Sequence, residues 1–344
     1  MANGPRMTLA AVTSTRQLNR PLRVALFGVP GIGKTTFASQ APSPIFLCVE
    51  DGAGFIDGKA FPQPLSWLEV FEAIESLLRD EHPFKTLVID TLDALESLCW
   101  QHVCRTQGGG KYRSIEEFGY GRGYQHAVEA WEDLLDCLAE LQRRRGMHLI
   151  MIAHAVARDH KDPDHEAWRR WDLKLHSKSA DTISGWVDAV LFAAPEMVAK
   201  KDGLKTRGFA TGDRLLYTAA AGAHNGKNRY GLPEVLPLEW GAFWNAVQQS
   251  QASAVAAARE ASEAQAREVR RLRTDLNTLI PQLPPEHRER ARTAFEAAGD
   301  DLAKLRSIDR RVEGLLKQAG AAGAARPAAD TTSASPAPSL SSPS

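Results

Sequence analysis

Gly28-Val29-Pro30-Gly31-Ile32-Gly33-Lys34-Thr35 fits Gly-x-x-x-x-Gly-Lys-[Ser/Thr], the loop that cradles nucleotide phosphates. Its context suits that role. The apolar run Leu22–Phe27 before it reads as a buried strand by length and flanks, and a helical run, Thr36–Gln40, follows it. Glycines let the backbone curl until several N–H groups point inward at phosphate oxygens. Lys34 then neutralises the β/γ oxygens, and the Thr35 hydroxyl is the expected Mg²⁺ ligand. Gly28, Val29, Pro30, Gly31, Ile32, Gly33 and Thr36 complete the expected binding stretch for ATP with Mg²⁺.

Outward from the loop, four more apolar runs recur: Ile45–Val49, Thr86–Ile89, Met147–Ala153 and Val187–Ala193. Helical stripes lie between them. Trp67–Leu78 aligns Trp67, Val70, Phe71, Ile74, Leu77 and Leu78; Tyr124–Leu141 aligns Val128, Trp131, Leu135, Leu138 and Leu141. Strands alternating with helices predict an α/β fold with a mostly parallel sheet covered on both faces. After Pro195 the pattern changes to three short strands, Glu196–Lys201, Lys205–Ala210 and Arg214–Ala219, with turns at Asp202-Gly203 and Gly212-Asp213. They are expected as antiparallel additions to one edge. Glu239–Gln249 is the expected last core helix. The predicted organisation is therefore a loose arm (1–20), a nucleotide-binding domain (21–249), a helical appendage or coiled-coil arm (250–318, broken at Pro281, Pro284 and Pro285) and a disordered Ala/Pro/Ser/Thr tail (319–344).

Several strand ends carry candidate chemistry. Thr86-Leu87-Val88-Ile89-Asp90-Thr91 is an apolar strand closing on an aspartate. On a strand neighbouring the loop's, Asp90 would hold Mg²⁺; the alternative is that Asp90 or Thr91 caps the helix Leu92–Cys104. Glu50 follows the second strand and can polarise the attacking water, with Asp51 as competitor and a solvated acid as the plain alternative. His154 ends the fourth strand. It either senses the γ-phosphate or is a core histidine satisfied by backbone. Lys227 and Arg229, in Gly226-Lys227-Asn228-Arg229-Tyr230-Gly231, alternate and so share a face of an extended strand. They suit a finger inserted into a neighbouring copy's phosphate site, or else form a solvated basic turn. Histidines 154, 160, 165 and 176 match no common metal-ligand spacing.

Taken together, the order of these motifs resembles the RecA/DnaB-type ATPases, and most of all the short phage-encoded ATP-binding proteins related to Sak-type single-strand annealing recombinases. The carrying residues are 28–37, Cys-Val-Glu-Asp-Gly (48–52), Leu-Val-Ile-Asp-Thr (87–91), Ile-Ala-His (152–154), Val-Asp-Ala-Val-Leu (187–191) and Gly-Lys-Asn-Arg-Tyr-Gly-Leu-Pro (226–233). They cover about residues 20–250. The resemblance implies a RecA-like core, phosphate binding at the loop, water activation by Glu50 and sensing by His154. It also implies Lys227 and Arg229 acting in trans within a ring or filament. It further implies single-stranded DNA bound along the axis, and a single-strand binding protein or other recombination factor as a further partner. Two segments sit where the DNA-binding loops of that class lie. Segment 105–123 has Arg105, Lys111, Arg113 and Arg122 interleaved with Tyr112, Phe118 and Tyr120. Segment 155–180 has Arg158, Lys161, Arg169, Arg170, Lys174 and Lys178 with Trp168 and Trp171. Asp159, Asp162, Asp164, Glu166 and Asp172 dilute the second, so a mixed-charge surface loop is the alternative there.

Composition narrows the field. Lys+Arg and Asp+Glu both number 42, which excludes a histone-like polycation. Four cysteines without CxxC spacing speak against a zinc site or disulfide scaffold and for a reducing compartment, the cytoplasm (a bacterial host's, if phage-encoded). No run approaches the ~18 apolar residues of a membrane span, so no membrane partner is expected. Three functions compete: a DNA-stimulated ATPase of recombination or annealing, a P-loop kinase for a small metabolite with 155–180 as its lid, and a nucleotide-switched scaffold or loader.

Overall fold

The strand that leads into the phosphate loop lies in the middle of the sheet. The computed structural model describes residues 20–50, 58–162, 165–202 and 205–324. Residues 1–19 of the expected arm, Asp51, Asp164, Gly203 and the tail beyond 324 lie outside the described residues. Strands β1 (Arg23–Gly28), β2 (Pro44–Cys48), β3 (Lys59–Ala60), β4 (Thr86–Asp90), β5 (His148–Asp162), β6 (His165–Leu173), β7 (Ala189–Asp202), β8 (Lys205–Tyr217), β9 (Lys227–Asn228) and β10 (Val235–Pro237) join in the order β10-β8-β7-β1-β5-β4-β2-β3. Strand β6 pairs with β5 and β9 with β7. From β7 to β3 the neighbours in that order are parallel; β8, β9 and β10 add antiparallel.

The central strands are apolar almost without interruption because both faces are covered. Alternation still sorts the side chains. Ala25, Phe27, Leu47, Leu87, Ile89, Leu149 and Met151 face α2 (Trp67–Arg79), α3 (Leu92–Thr106), α4 (Arg122–Arg145) and α5 (Ser177–Trp186). Val24, Leu26, Phe46, Val88, Ile150 and Ile152 face α1 (Lys34–Ser39) and Trp240, Phe243 and Val247 of α6 (Trp240–Leu279). Helix α2 is capped at Ser66: its hydroxyl accepts the Glu69 N–H, and the Glu69 carboxylate accepts the Leu65 N–H at 2.7 Å.

Three expectations need correction. The fourth strand does not stop at Ala153. β5 runs on to Asp162 and pairs with β6 as a two-stranded ribbon from Ala155↔Leu173 outward, so most of the expected loop 155–180 is regular strand and helix. The strands after Pro195 are likewise two long ones. Gly212-Asp213 is no turn: the pairing passes from Pro195↔Arg214 to Met197↔Ala210, a bulge that Gly212 admits at φ 102°. Third, Phe118, expected with Tyr112 and Tyr120 among the interleaved aromatics of a DNA-binding segment, is not open to a ligand. Phe118 is buried, and its ring and that of Tyr112 pack 4.5 Å apart against the core, whereas Tyr120 is fully exposed.

The chain divides into two units, residues 1–254 and 255–344. In the second, the end of α6, α7 (Pro285–Ala298) and α8 (Leu302–Ala324) enclose a core of Val269, Leu272, Leu276, Ile280, Leu283, Phe295, Leu305 and Val312. Helix α6 ends at Leu279, just before Pro281, because a proline there has no N–H for the helical ladder. Helix α8 passes the expected boundary at 318.

Candidate functional site

Strand register gathers the candidates at one end of the sheet. Gly28 lies opposite His154 across β1/β5, and Asp90 lies opposite Ile152 and Cys48 across β5/β4/β2. The phosphate loop, His154, Asp90 and Glu50 therefore stand at the carboxyl ends of four adjacent parallel strands, where open α/β sheets bind ligands. One expectation is corrected: β5, not β4, is the neighbour of β1 on this side. Asp90 reaches the loop nonetheless: the Thr35 hydroxyl stands near enough to its carboxylate to favour the charged form.

The loop is built for close approach. A Cβ on Gly28 would stand 2.4 Å from the Ala193 carbonyl oxygen of β7, and Gly33 sits at φ 106°, open to glycine alone without strain. Lys34 is buried, and its ammonium donates to the carbonyls of Gly28 (3.0 Å) and Val29 (3.1 Å). Burial lowers its pKa, opposed by the charges of Asp90, Asp93 and Glu50. Burial also raises the pKa of Asp90, against the Thr35 hydroxyl and the Lys34 charge. Thr91, not Asp90, caps α3: its hydroxyl accepts the Ala94 N–H. Asp90 is thus left to the site. A hydroxyl and a carboxylate side by side are hard oxygen donors of the kind Mg²⁺ takes. Thr35 and Asp90 would hold that ion, which supplies charge neutralisation across the phosphates.

Beside them lies a second group. His154 Nε2 is 4.0 Å from Glu50 Oε1. Its Nδ1 meets Asp93 at 2.9 Å, and its backbone N–H donates to the same carboxylate at 3.0 Å. Burial would push the Asp93 carboxyl up, but the His154 bonds outweigh it and hold the group below the usual range. The Lys174 ammonium stands 3.7 Å from Asp93. Donor atoms of Glu50, Asp93 and His154 all lie within 4.8 Å of one another. His160 instead packs on Trp168, and His176 stacks on Tyr124.

Lys227 and Arg229 are elsewhere. Strand β9 pairs with Ala189 and Val190, at the opposite end of the parallel strands from Gly28 and its partner Ala193. The Lys227 ammonium donates to the Ser184 and Gly185 carbonyls in the last turn of α5 (2.7 and 2.8 Å), and burial lowers its pKa. Arg229 faces Asp188 at 3.5 Å with its side chain largely exposed. The cation that does reach this chain's own loop is Arg214 of β8, which donates to the Ile32 carbonyl at 3.3 Å.

Sequence reasoning missed Arg214 and Asp93, and placed Lys174 only in a DNA-binding segment. Asp93 alone left a local trace, an acid in the first turn of the helix that follows Asp90.

Comparison with known proteins agrees with this geometry. A 137-residue stretch is 24% identical to the SPbeta prophage-derived uncharacterized protein YorG of Bacillus subtilis (strain 168), covering 39% of this chain. The chain spans 41% of that relative's length. The AAA domain profile matches residues 20–230, from just before β1 to just beyond β9. With more than half of its residues inside that match, the chain belongs to the AAA domain family of P-loop ATPases.

Proposed function

We propose that this chain is a Mg-ATP-hydrolysing, RecA-like ATPase that acts on single-stranded DNA in recombination or strand annealing. The observation that carries this reading is the path of β5. At its sheet end the strand bears His154, within 4.0 Å of Glu50. Four residues on, in the ribbon, Arg158 lies directly opposite Arg170, and His160 opposite Trp168. Residues directly opposite share a face, and two like charges there repel unless an anion sits between them. Arg158 already donates to the Leu173 and Leu175 carbonyls, and Asp172 stands 3.6 Å from Arg170, whose charge it offsets in part. Paired guanidinium groups beside an aromatic pair suit a phosphate backbone with a base stacked alongside. The phage origin of YorG fits the same setting. Single-stranded DNA is expected to raise ATP turnover, and Arg170→Ala to lose most of that stimulation while keeping the DNA-free rate. Phosphate release with and without oligonucleotide measures both. An oligonucleotide without effect would favour the kinase or the scaffold.

Arg229 is proposed to act in trans. It lies at the sheet end remote from its own loop, so only a neighbouring copy's nucleotide is within reach of such a finger. The active form is then a head-to-tail ring or filament with ATP at a heterologous interface. Arg229→Ala should bind ATP almost normally yet lose most turnover. Mixed with Lys34→Ala, it should recover activity, since each variant supplies what the other lacks. A fully active monomer by light scattering, or no recovery in a mixture shown to co-assemble, would sink the assembly.

A further inference from the structure

We infer that Asp93 is a positioning residue that turns His154 so that its bare Nε2 faces Glu50, and that the two acceptors together hold the attacking water. The inference deepens the hydrolytic role proposed above for Glu50 and His154, and rests on it.

The geometry argues in two steps. An ionised carboxylate only accepts hydrogen bonds. Asp93 meets Nδ1 at 2.9 Å, so Nδ1 carries the proton, and a neutral ring then has its lone pair at Nε2. Asp93 is held in that state from two sides: the His154 backbone N–H at 3.0 Å and the Lys174 ammonium at 3.7 Å. The Lys174 N–H in turn donates to the His154 carbonyl at 2.9 Å, so the clamp closes both strands of the ribbon at its root. The other charges around the ring are Glu50, at the end of β2, and Asp90, at the end of β4.

Nε2 and Glu50 Oε1 are 4.0 Å apart, too far for a direct bond. Two acceptors at that separation can both bind one water, which donates a proton to each at about 2.8 Å. Such a water has its oxygen lone pairs turned away from both acceptors and free to attack. When it attacks, the hydrogen on the Glu50 side passes to Glu50 as the new P–O bond forms and the bond from the γ-phosphorus to the bridging oxygen breaks; ADP leaves with that electron pair, and the hydrogen held by Nε2 stays on the released phosphate. With the proton on Nε2 instead, the ring would donate to that water and occupy a lone pair the oxygen needs for attack.

Asp93→Asn isolates this effect. The amide keeps its oxygen at the Oδ1 position for the His154 backbone N–H and puts its NH₂ at the Oδ2 position, 2.9 Å from Nδ1 and nearer than Oδ1 at 3.2 Å. Nδ1 then accepts, and the proton moves to Nε2. In ¹⁵N-histidine-labelled protein, at a pH where the ring is neutral, the nitrogen shifts should show His154 protonated at Nδ1 in the wild type and at Nε2 in Asp93→Asn. In the same variant kcat should fall about tenfold to hundredfold, the scale for losing a partner that orients a functional histidine. KM for ATP should stay within about threefold, because ground-state binding is untouched. On a His154→Gln background, Asp93→Asn should cost nothing more. A wild-type ring protonated at Nε2, an unchanged tautomer in the variant, a rise in KM alone, or additive losses in the double variant would each overturn the proposal. The wild-type spectrum decides the tautomer even if the variant folds poorly. Wild-type turnover in Glu50→Gln would instead overturn the role of Glu50 and the shared water, while the tautomer result stands or falls separately.

Discussion

Lys34→Ala is expected to lose ATP turnover by at least ~10²–10³-fold, the scale for removing a donor aimed at developing phosphate charge. The ammonium is buried, the charges of Asp90, Asp93 and Glu50 favour its charged form, and two loop carbonyls already hold it. A phosphate that displaces those carbonyls gains the charge without moving the loop. The loop itself should survive the substitution, since backbone bonds close it: Ile32 N–H to the Val29 carbonyl and Phe37 N–H to the Gly33 carbonyl. Lys34→Met, which retains most of the volume, separates charge from packing. Phosphate release beside a thermal unfolding curve checks the prediction. A folded Lys34→Ala that hydrolyses ATP at the wild-type rate would mean that the phosphates bind elsewhere.

Glu50→Gln is expected to bind ATP with Mg²⁺ and to turn it over at least ~10²-fold more slowly, the usual scale for a lost general base. The amide keeps shape and hydrogen-bonding capacity but cannot take a proton from water. Nucleotide affinity, read by a fluorescent ATP analogue, should therefore hardly change while single-turnover hydrolysis slows. Such a variant should also accumulate in the ATP-bound form. Equal loss in Asp51→Asn with normal turnover in Glu50→Gln would move the role one residue along the chain.

Much of this was legible in the residues because the determinants are contiguous. A phosphate loop is a single turn between a strand and a helix, so Gly28 to Thr35 declare it locally. Fully apolar runs such as Leu149–Ala153 declare buried strands, and the three-to-four-residue spacing of Trp67, Val70, Ile74 and Leu77 declares the helix that covers them. Those local facts suffice for an α/β fold with a parallel sheet, and for acids at its strand ends.

Other features depend on residues far apart in the chain. The ribbon segments 155–162 and 165–173 read as a loop, because their charged residues break the apolar alternation; pairing with each other, not composition, makes them strand. Gly212-Asp213 looks like a turn until Pro195 and Arg214 pair around it. Strand order placed β5 between β1 and β4, and no local pattern encodes order, since a crossover helix can return its strand to more than one place. Arg214 at the loop comes from the same source: it reaches Ile32 across 182 residues. Asp93 meets His154 across 61 residues, because α3 begins beside the point where β5 passes from the parallel sheet into the ribbon. Side-chain chemistry is written residue by residue, but which residues stand within a hydrogen bond of one another is settled when the sheet closes around its core.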